Sequence, residues 1–275
     1  MRSWLAGLTS AAVIFAAAEA REWPLPRWDW VLSGDIDTAA LIERRLDYVG
    51  LDAFDVSAEQ VAEIRAAGSH VWCYVSAGTI EDWRPDVAAY QAADAARQAA
   101  GEGQLIGEPY DQWPGERWLD VRALDALMPL IEARLALCAE KGFDMVEFDN
   151  IDGYGNETGF AISEADEIAF IRALAEAADR AGLAPILKNT PDLAEALEPW
   201  FAAYLMEDCV LYDFCESAGA FSAAQKPALN AEYPESWAEE GRAFDLELVC
   251  RDGFYGDVAI LVKSLELTME VTPCP

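Results

Sequence analysis

Residues 145–154 read Met-Val-Glu-Phe-Asp-Asn-Ile-Asp-Gly-Tyr. Met145–Asp149 is a short β-type segment, and side chains in a strand alternate between its two faces. Glu147 and Asp149 therefore point the same way, with Asp149 nearer the exit. A carboxylate as deep as Glu147 is costly to bury unless it is paired, and Lys188 is a candidate partner. Similar segments recur outward in both directions: Trp28–Leu32, Tyr48–Phe54, His70–Ser76, Arg117–Leu119, Pro185–Lys188, Ala203–Glu207, Pro227–Glu232 and Val258–Lys263. Helical patterns lie between several of them. Ser163 with Asp166 resembles a capping box, and Ile168, Ile171, Leu174, Ala175 and Ala178 form a helical stripe that stops at Gly182. Pro129 suits a first helical turn, followed by Ile131, Leu135 and Cys138. Such alternation predicts one α/β domain around a parallel sheet, open or closed into a barrel. Nine strand candidates exceed the eight of a barrel, and Trp28–Leu32 and Arg117–Leu119 are the weakest.

Composition bounds the remainder. The 275 residues are 53% hydrophobic, enough for one barrel-sized core. The one long apolar run, Trp4–Ala18, follows Arg2 and precedes an Ala-x-Ala site, the pattern of a secretory signal peptide over 1–20. An uncleaved N-terminal anchor is the alternative, and no internal run is long enough for a membrane span. The mature domain is then 21–275, in a secreted or periplasmic protein. Export gives the six cysteines a use as disulfides, with Cys209 and Cys215 near enough to close a small loop and Cys250 able to tie down the tail through Cys274. No metal or other cofactor is expected, because there is no Cys-x-x-Cys pair and His70 is the sole histidine. Fifty acidic against nineteen basic residues give a net charge of −31, which disfavours nucleic acid and favours cationic partners.

Barrel enzymes carry their chemistry at the carboxyl ends of strands. Here those ends supply Asp55, Ser76, Asp120, Asp149 with Asn150, Lys188 with Asn189, Glu207 with Asp208, Glu232, and Lys263. One such residue has an easy structural explanation, as a helix cap or a turn; a whole series of them predicts a polar cleft. His70 opens its strand, at the wrong end for a Ser-His-Asp triad, and no nucleotide-binding glycine motif is present. Glycosidic cleavage needs only two carboxyl groups, one to protonate the leaving oxygen and one to act as nucleophile or base. Tyr74, Trp83, Tyr154, Tyr212 and Tyr233 lie near strand ends and could stack on sugar faces.

The sequence also resembles the endo-α-1,4-polygalactosaminidase family of glycoside hydrolases (family 114), from about Trp28 to Lys263. The resemblance rests on blocks in order: Cys73–Gly78 with Glu81 and Trp83–Asp86; Glu116–Arg122; Gly142–Asp144 leading into Glu147–Tyr154; Asn156–Phe160; Gly182-Leu183 before Leu187–Asn189; Glu207–Cys209 with Tyr212 and Cys215; and Lys226-Pro227 before Glu232-Tyr233. It implies a (β/α)8 TIM-type barrel acting on a partly N-acetylated α-1,4-galactosamine polymer, with Asp149 and Glu207 as the catalytic pair. It further implies retention, with Asp149 as nucleophile and Glu207 as acid/base by analogy with α-retaining barrels. Asp149 also has the strand-end argument and the dense motif around it; the choice of Glu207 over Glu232 or Asp120 rests on the resemblance. The expected substrate-binding residues are Asp55, Tyr74, Trp83, Asp120, Asn150, Asp152, Tyr154, Lys188 and Glu232, in a monomer whose partner is the amino-sugar polysaccharide. A carbohydrate-binding barrel without turnover and a hydrolase of another α-glycan are the alternatives.

Overall fold

A computed structural model of the protein describes residues 25–111, 113–251 and 257–274; the expected signal peptide lies outside them. The strands are β1 (Trp28–Val31), β2 (Tyr48–Asp52), β3 (His70–Ser76), β4 (Thr79–Glu81), β5 (Ile106–Pro109), β6 (Glu116–Leu119), β7 (Met145–Asp149), β8 (Ala184–Lys188), β9 (Ala203–Glu207), β10 (Ala228–Glu232) and β11 (Val258–Val262). Eight of them pair in parallel in the order β1-β2-β3-β7-β8-β9-β10-β11, with helices between them, which is a nearly closed (β/α)8 barrel. β4, β6 and β5 form a separate antiparallel sheet on the excursion from β3 to β7. Arg117–Leu119 is thus the strand that does not belong to the barrel, whereas Trp28–Val31 does.

Period-two alternation along the parallel strands separates two cores. One face of each strand contributes to the barrel interior: Trp28, Trp30, Trp72, Met145, Ile186, Leu205, Leu229 and Leu261 pack together there. The opposite faces, among them Val49, Val71, Val146, Phe148, Leu187 and Met206, pack against helices through residues such as Ile64, Leu135 and Leu174. Gly50 is required inside, since a Cβ there would lie 2.3 Å from the Trp72 ring and 2.6 Å from Trp30. Among the described residues β1 and β11 share no ladder, and side chains close that seam instead. The Trp28 indole donates to the Ala259 carbonyl at 3.0 Å, and the buried Lys263 ammonium donates to Asp29 at 2.6 Å and to the Trp30 carbonyl at 2.8 Å.

The helix Glu164–Ala181 starts at the Ser163–Asp166 capping box and ends at Gly182, whose φ of 76° suits glycine. The preceding helix, Leu124–Glu140, begins earlier than Pro129 suggested and holds that proline inside it. Packing of Leu127, Ile131 and Leu135 against the barrel outweighs the lost backbone hydrogen bond. Three disulfides are present: Cys209–Cys215, Cys250–Cys274 and Cys73–Cys138. The last ties the outer face of β3 to the helix Leu124–Glu140 and closes a loop with a sequence separation of 65. No helix among the described residues is long and apolar enough to cross a membrane. Replacing Cys73 and Cys138 by serine is expected to lower the unfolding free energy by about 4 kcal/mol, the loop-closure value for that length. Denaturant titration checks this, and a loss below about 1 kcal/mol would show that the unfolded chain gains little freedom without the bridge.

Candidate active site

The barrel interior is apolar at the amino ends of its strands and charged at their carboxyl ends. On β7, Met145 shares its inward parity with Glu147 and Asp149; on β8, Ile186 shares it with Lys188; on β9, Ala203 and Leu205 share it with Glu207. The Lys188 ammonium gathers these groups. It lies 3.2 Å from Glu147 Oε1, 2.7 Å from Asp149 Oδ1 and 2.9 Å from Glu207 Oε2, and 4.5 Å above the Trp30 ring. Burial alone would lower this ammonium, but Asp149, Glu207 and Glu147 outweigh it and hold Lys188 well above the ordinary lysine value. The expected Lys188–Glu147 pair is therefore one part of a larger cluster.

A phenol also serves each of the two outer carboxylates. Tyr74 donates to Asp149 Oδ2 at 2.9 Å and Tyr233 donates to Glu207 Oε1 at 2.7 Å. Burial pushes both phenols well above their usual range, so they remain donors. Asn189 gives Glu207 a further hydrogen bond at 3.2 Å and accepts one from the Glu207 backbone at 2.9 Å. Below them, Glu147 is fully buried and takes the Trp72 indole N–H at 2.8 Å. Burial raises its carboxyl to about 8 against the opposing pull of Lys188.

The chain turns sharply after each of these strands. Asn150, Asn189 and Asp208, which directly follow Asp149, Lys188 and Glu207, have φ values of 58°, 46° and 53°. Asn and Asp tolerate this left-handed region better than other residues bearing a Cβ, which accounts for the pairs Asp-Asn, Lys-Asn and Glu-Asp at the strand ends. The turn after β7 leaves no room for a side chain at Gly78, where a Cβ would lie 1.6 Å from the Asn150 carbonyl oxygen.

The cleft above the cluster has two lobes of about 320 and 760 Å³ that share Asp152, Asn189 and Glu207. Asp149, Tyr74, Trp83, Asn150 and Lys188 line the first, Tyr154 lines the second, and Asp152 lines both. Three expected residues lie elsewhere. Glu232 has the opposite parity to Ala231 and is fully buried outside the barrel, accepting from Val210 N, Asn230 Nδ2 and Trp237 Nε1. Asp120 follows an accessory strand and binds Arg122 through both oxygens. Asp55 lies in an exposed turn beyond β2. Glu116, absent from the expected set, enters the cleft from β6 and accepts from Thr79 Oγ1 at 2.8 Å. Tyr233, expected as a stacking ring, is instead buried against Glu207; its parity with Ala231 signals the inward position. His70, exposed at the start of β3, stacks on Tyr48 far from these groups.

Several carboxyls around the cleft are raised, in each case chiefly by burial: Glu116 to about 7, Asp208 to about 7 and Asp152 to about 6, with Glu167 behind the Gly153–Gly155 turn at about 7. In the window between the unfolded value near 4 and these folded values, the native state holds protons that the unfolded chain has released. Stability therefore falls as pH rises through that window. The melting temperature is expected to be higher at pH 5 than at pH 8, with a shallower slope for Glu116→Gln; scanning calorimetry checks this, and a rise toward pH 8 would contradict it. Lys188→Met, which strands three carboxylates, is expected to cost about 3–5 kcal/mol at pH 8 by denaturant titration and less at pH 5, where carboxyl protonation relieves the repulsion.

The same fold is found in solved structures. Ega3 from Aspergillus fumigatus, determined in complex with galactosamine, is 25% identical over 95% of this chain and 100% of its own, with a TM-score of 0.76. The glycoside hydrolase domain of PelA from Pseudomonas aeruginosa is 17% identical over 90% of this chain and 97% of its own, with a TM-score of 0.64. That of PgaB (BpsB) from Bordetella bronchiseptica is 12% identical over 89% and 95%, with a TM-score of 0.53. No curated protein sequence matches the chain. The model of glycoside-hydrolase family GH114 matches residues 12–274, across the barrel and every carboxylate of the cleft. The chain belongs to glycoside-hydrolase family GH114 and is a glycoside hydrolase.

Proposed function

We propose that the protein is an exported, endo-acting hydrolase of α-1,4-linked galactosamine and N-acetylgalactosamine polymers, working with retention through Asp149 and Glu207. The observation that carries this reading is the shared Lys188 ammonium. Its contacts of 2.7 and 2.9 Å cap the separation of the nearest oxygens of Asp149 and Glu207 at about 5.6 Å. Retaining glycosidases hold their carboxyl groups about 5–5.5 Å apart, whereas inverting ones need about 6.5–9.5 Å to admit a water. Asp149, which accepts hydrogen bonds from Lys188 and Tyr74, attacks the anomeric carbon. Glu207 gives its proton to the glycosidic oxygen as that C–O bond breaks, leaving a glycosyl ester on Asp149. Glu207 then takes a proton from water, which attacks the same carbon and frees Asp149. Glu207 suits the acid/base role because its side chain is 26% exposed against 17% for Asp149, and it faces both lobes.

The cleft also suits an amino sugar. Asp152, Glu116 and Glu266 line it beside the pair, while Lys188 is committed to carboxylates and Arg84 to Glu81 and Asp52. A glycan carrying ammonium groups would meet acidic side chains there that pair with no Lys or Arg among the described residues, and Ega3, with the same fold, was solved with galactosamine. Tyr74, Asn150, Asp152 and Tyr154 line the cleft and would contact sugar there, and Trp83, 52% exposed, would stack on it. Lys188, buried beneath the pair, acts on substrate through the carboxylates it holds. Continuation of the cleft past Glu207 supports cleavage within a chain, and three disulfides support an oxidising compartment.

Partly deacetylated α-1,4-galactosaminan is expected to yield new reducing ends, with the α-anomer first by NMR and oligomers rather than monomers by mass spectrometry. Asp149→Asn and Glu207→Gln are each expected to lower kcat by at least about a thousandfold. Binding without product would indicate a lectin-like barrel, and faster cleavage of a neutral α-glycan would move the substrate class.

A further inference from the structure

Immediately after Glu207 the chain enters a short loop closed by the Cys209–Cys215 disulfide. It is pinned at several of its peptides. Cys209 N donates to Asn230 Oδ1 at 3.1 Å, Val210 N to Glu232 Oε1 at 2.7 Å, Tyr212 N to the Asp208 carbonyl at 3.0 Å and Phe214 N to the Cys209 carbonyl at 2.9 Å. Arg242, lying over the Trp237 ring, donates to the Leu211 carbonyl. Asp208 and Asp213, on either side of Tyr212, both hold left-handed backbone, with φ values of 53° and 59°. Such conformations persist only where the surroundings enforce them. Glu232, expected to bind substrate, is therefore an anchor of this loop.

All this order serves no burial of the side chain at its tip. Tyr212 is 55% exposed, and its hydroxyl makes only a 3.4 Å contact with Glu240. It lines the second lobe together with Tyr154, Asp152 and Glu207. The large apolar side chains exposed among the described residues are Leu25, Trp83, Trp113, Trp200 and Tyr212, and three of these five line the cleft. Trp83 belongs to the first lobe, Tyr212 to the second, and Trp113 to both.

We infer that the Cys209–Cys215 loop is a sugar-binding platform, with Tyr212 stacking on a pyranose ring of the glycan in the Glu207 lobe. The inference rests on the glycan hydrolysis proposed above and adds a binding site to it. A ring carried on a main chain already held by a disulfide and hydrogen bonds orders no loop on binding, so more of its contact energy appears as affinity. Asp152 and Glu207 in the same lobe supply carboxylates for an amino sugar, while the phenol ring supplies an apolar face.

The test uses partly deacetylated α-1,4-galactosaminan and the full chain. Tyr212→Ala is expected to raise KM about tenfold, equivalent to 1.4 kcal/mol, with kcat changed less than about twofold and a different distribution of oligomer lengths. Tyr212→Phe keeps the ring and is expected to restore the wild-type KM. Trp200→Ala, at an exposed ring outside both lobes and under Arg172, is the control. Calorimetric titration of the same polymer onto Glu207→Gln and onto Glu207→Gln with Tyr212→Ala reads affinity without turnover, and the added substitution is expected to weaken binding about tenfold. Because the side chain is exposed, Tyr212→Ala is expected to melt with the wild type. Wild-type KM, product lengths and affinity in Tyr212→Ala would overturn the platform while leaving hydrolysis intact. Loss in Tyr212→Phe equal to that in Tyr212→Ala would assign the effect to the hydroxyl and overturn stacking. A polymer neither cleaved nor bound by the wild type would overturn the functional reading itself, and the platform with it.

Discussion

The Lys188 ammonium is the charge on which the carboxyl end of the barrel depends. A lone ammonium in such a buried position would lose its proton or unfold its surroundings, and three carboxylates crowded together would repel one another. Together they form a set in which each group answers the others: Lys188 takes Glu147, Asp149 and Glu207 as partners and lies on the face of Trp30. The donors around it complete the arrangement. Trp72, Tyr74, Asn189 and Tyr233 supply hydrogen bonds to the carboxylate oxygens that the single cation leaves free. The cost of burying this cation with its acidic partners is offset only because β3, β7, β8, β9 and the residue after β10 all deliver their groups to one point.

That convergence follows from the barrel. Parallel strands in register bring their carboxyl ends to one rim, and alternation sends every second side chain inward. Large apolar residues fill the lower interior, with Trp28, Trp30 and Trp72 accommodated by Gly50. Asp149 and Glu207 are left to the rim, where water and substrate can reach them, above the buried Lys188 and Glu147. Asn150, Asn189 and Asp208 then turn the chain away from the rim in left-handed conformations, so each functional side chain stays at the edge of the cleft. The seam between β1 and β11, where a ladder is lacking among the described residues, is held by Lys263 and Asp29 in a buried pair. The tail beyond it contributes Leu265, Glu266 and Leu267 to the cleft wall and is tied back through Cys250–Cys274.

Much of this was legible locally. The short strands, the helix from Ser163 to Gly182, the shared face of Glu147 and Asp149, and the pairing of Glu147 with Lys188 all follow from periodicity and from the cost of a buried charge. The same parity rule places Glu232 outside the barrel and Tyr233 inside it, one residue apart. Treating the last residue of every strand as cleft-facing overrode that rule and misplaced Glu232. Asp120 was misplaced for a different reason. Its strand is one of the two weakest barrel candidates, and its partners are β4 and β5; pairing partners are not encoded in a single strand's pattern.

What the sequence determined by itself is whatever depends on neighbours a few residues apart: strand and helix periods, caps, inward or outward parity, and the Asn and Asp residues that tolerate a left-handed turn. Tertiary structure alone decided which carboxylates share a cation, which strand is accessory, and that Glu116 reaches the cleft from β6. It also decided that the Cys209–Cys215 loop presents Tyr212 rather than burying it. Those outcomes depend on closure of the barrel, a contact between residues more than two hundred positions apart such as Lys263 and Asp29. No local pattern carries that information, because the free energy of such a contact exists only once the strands between have taken their places.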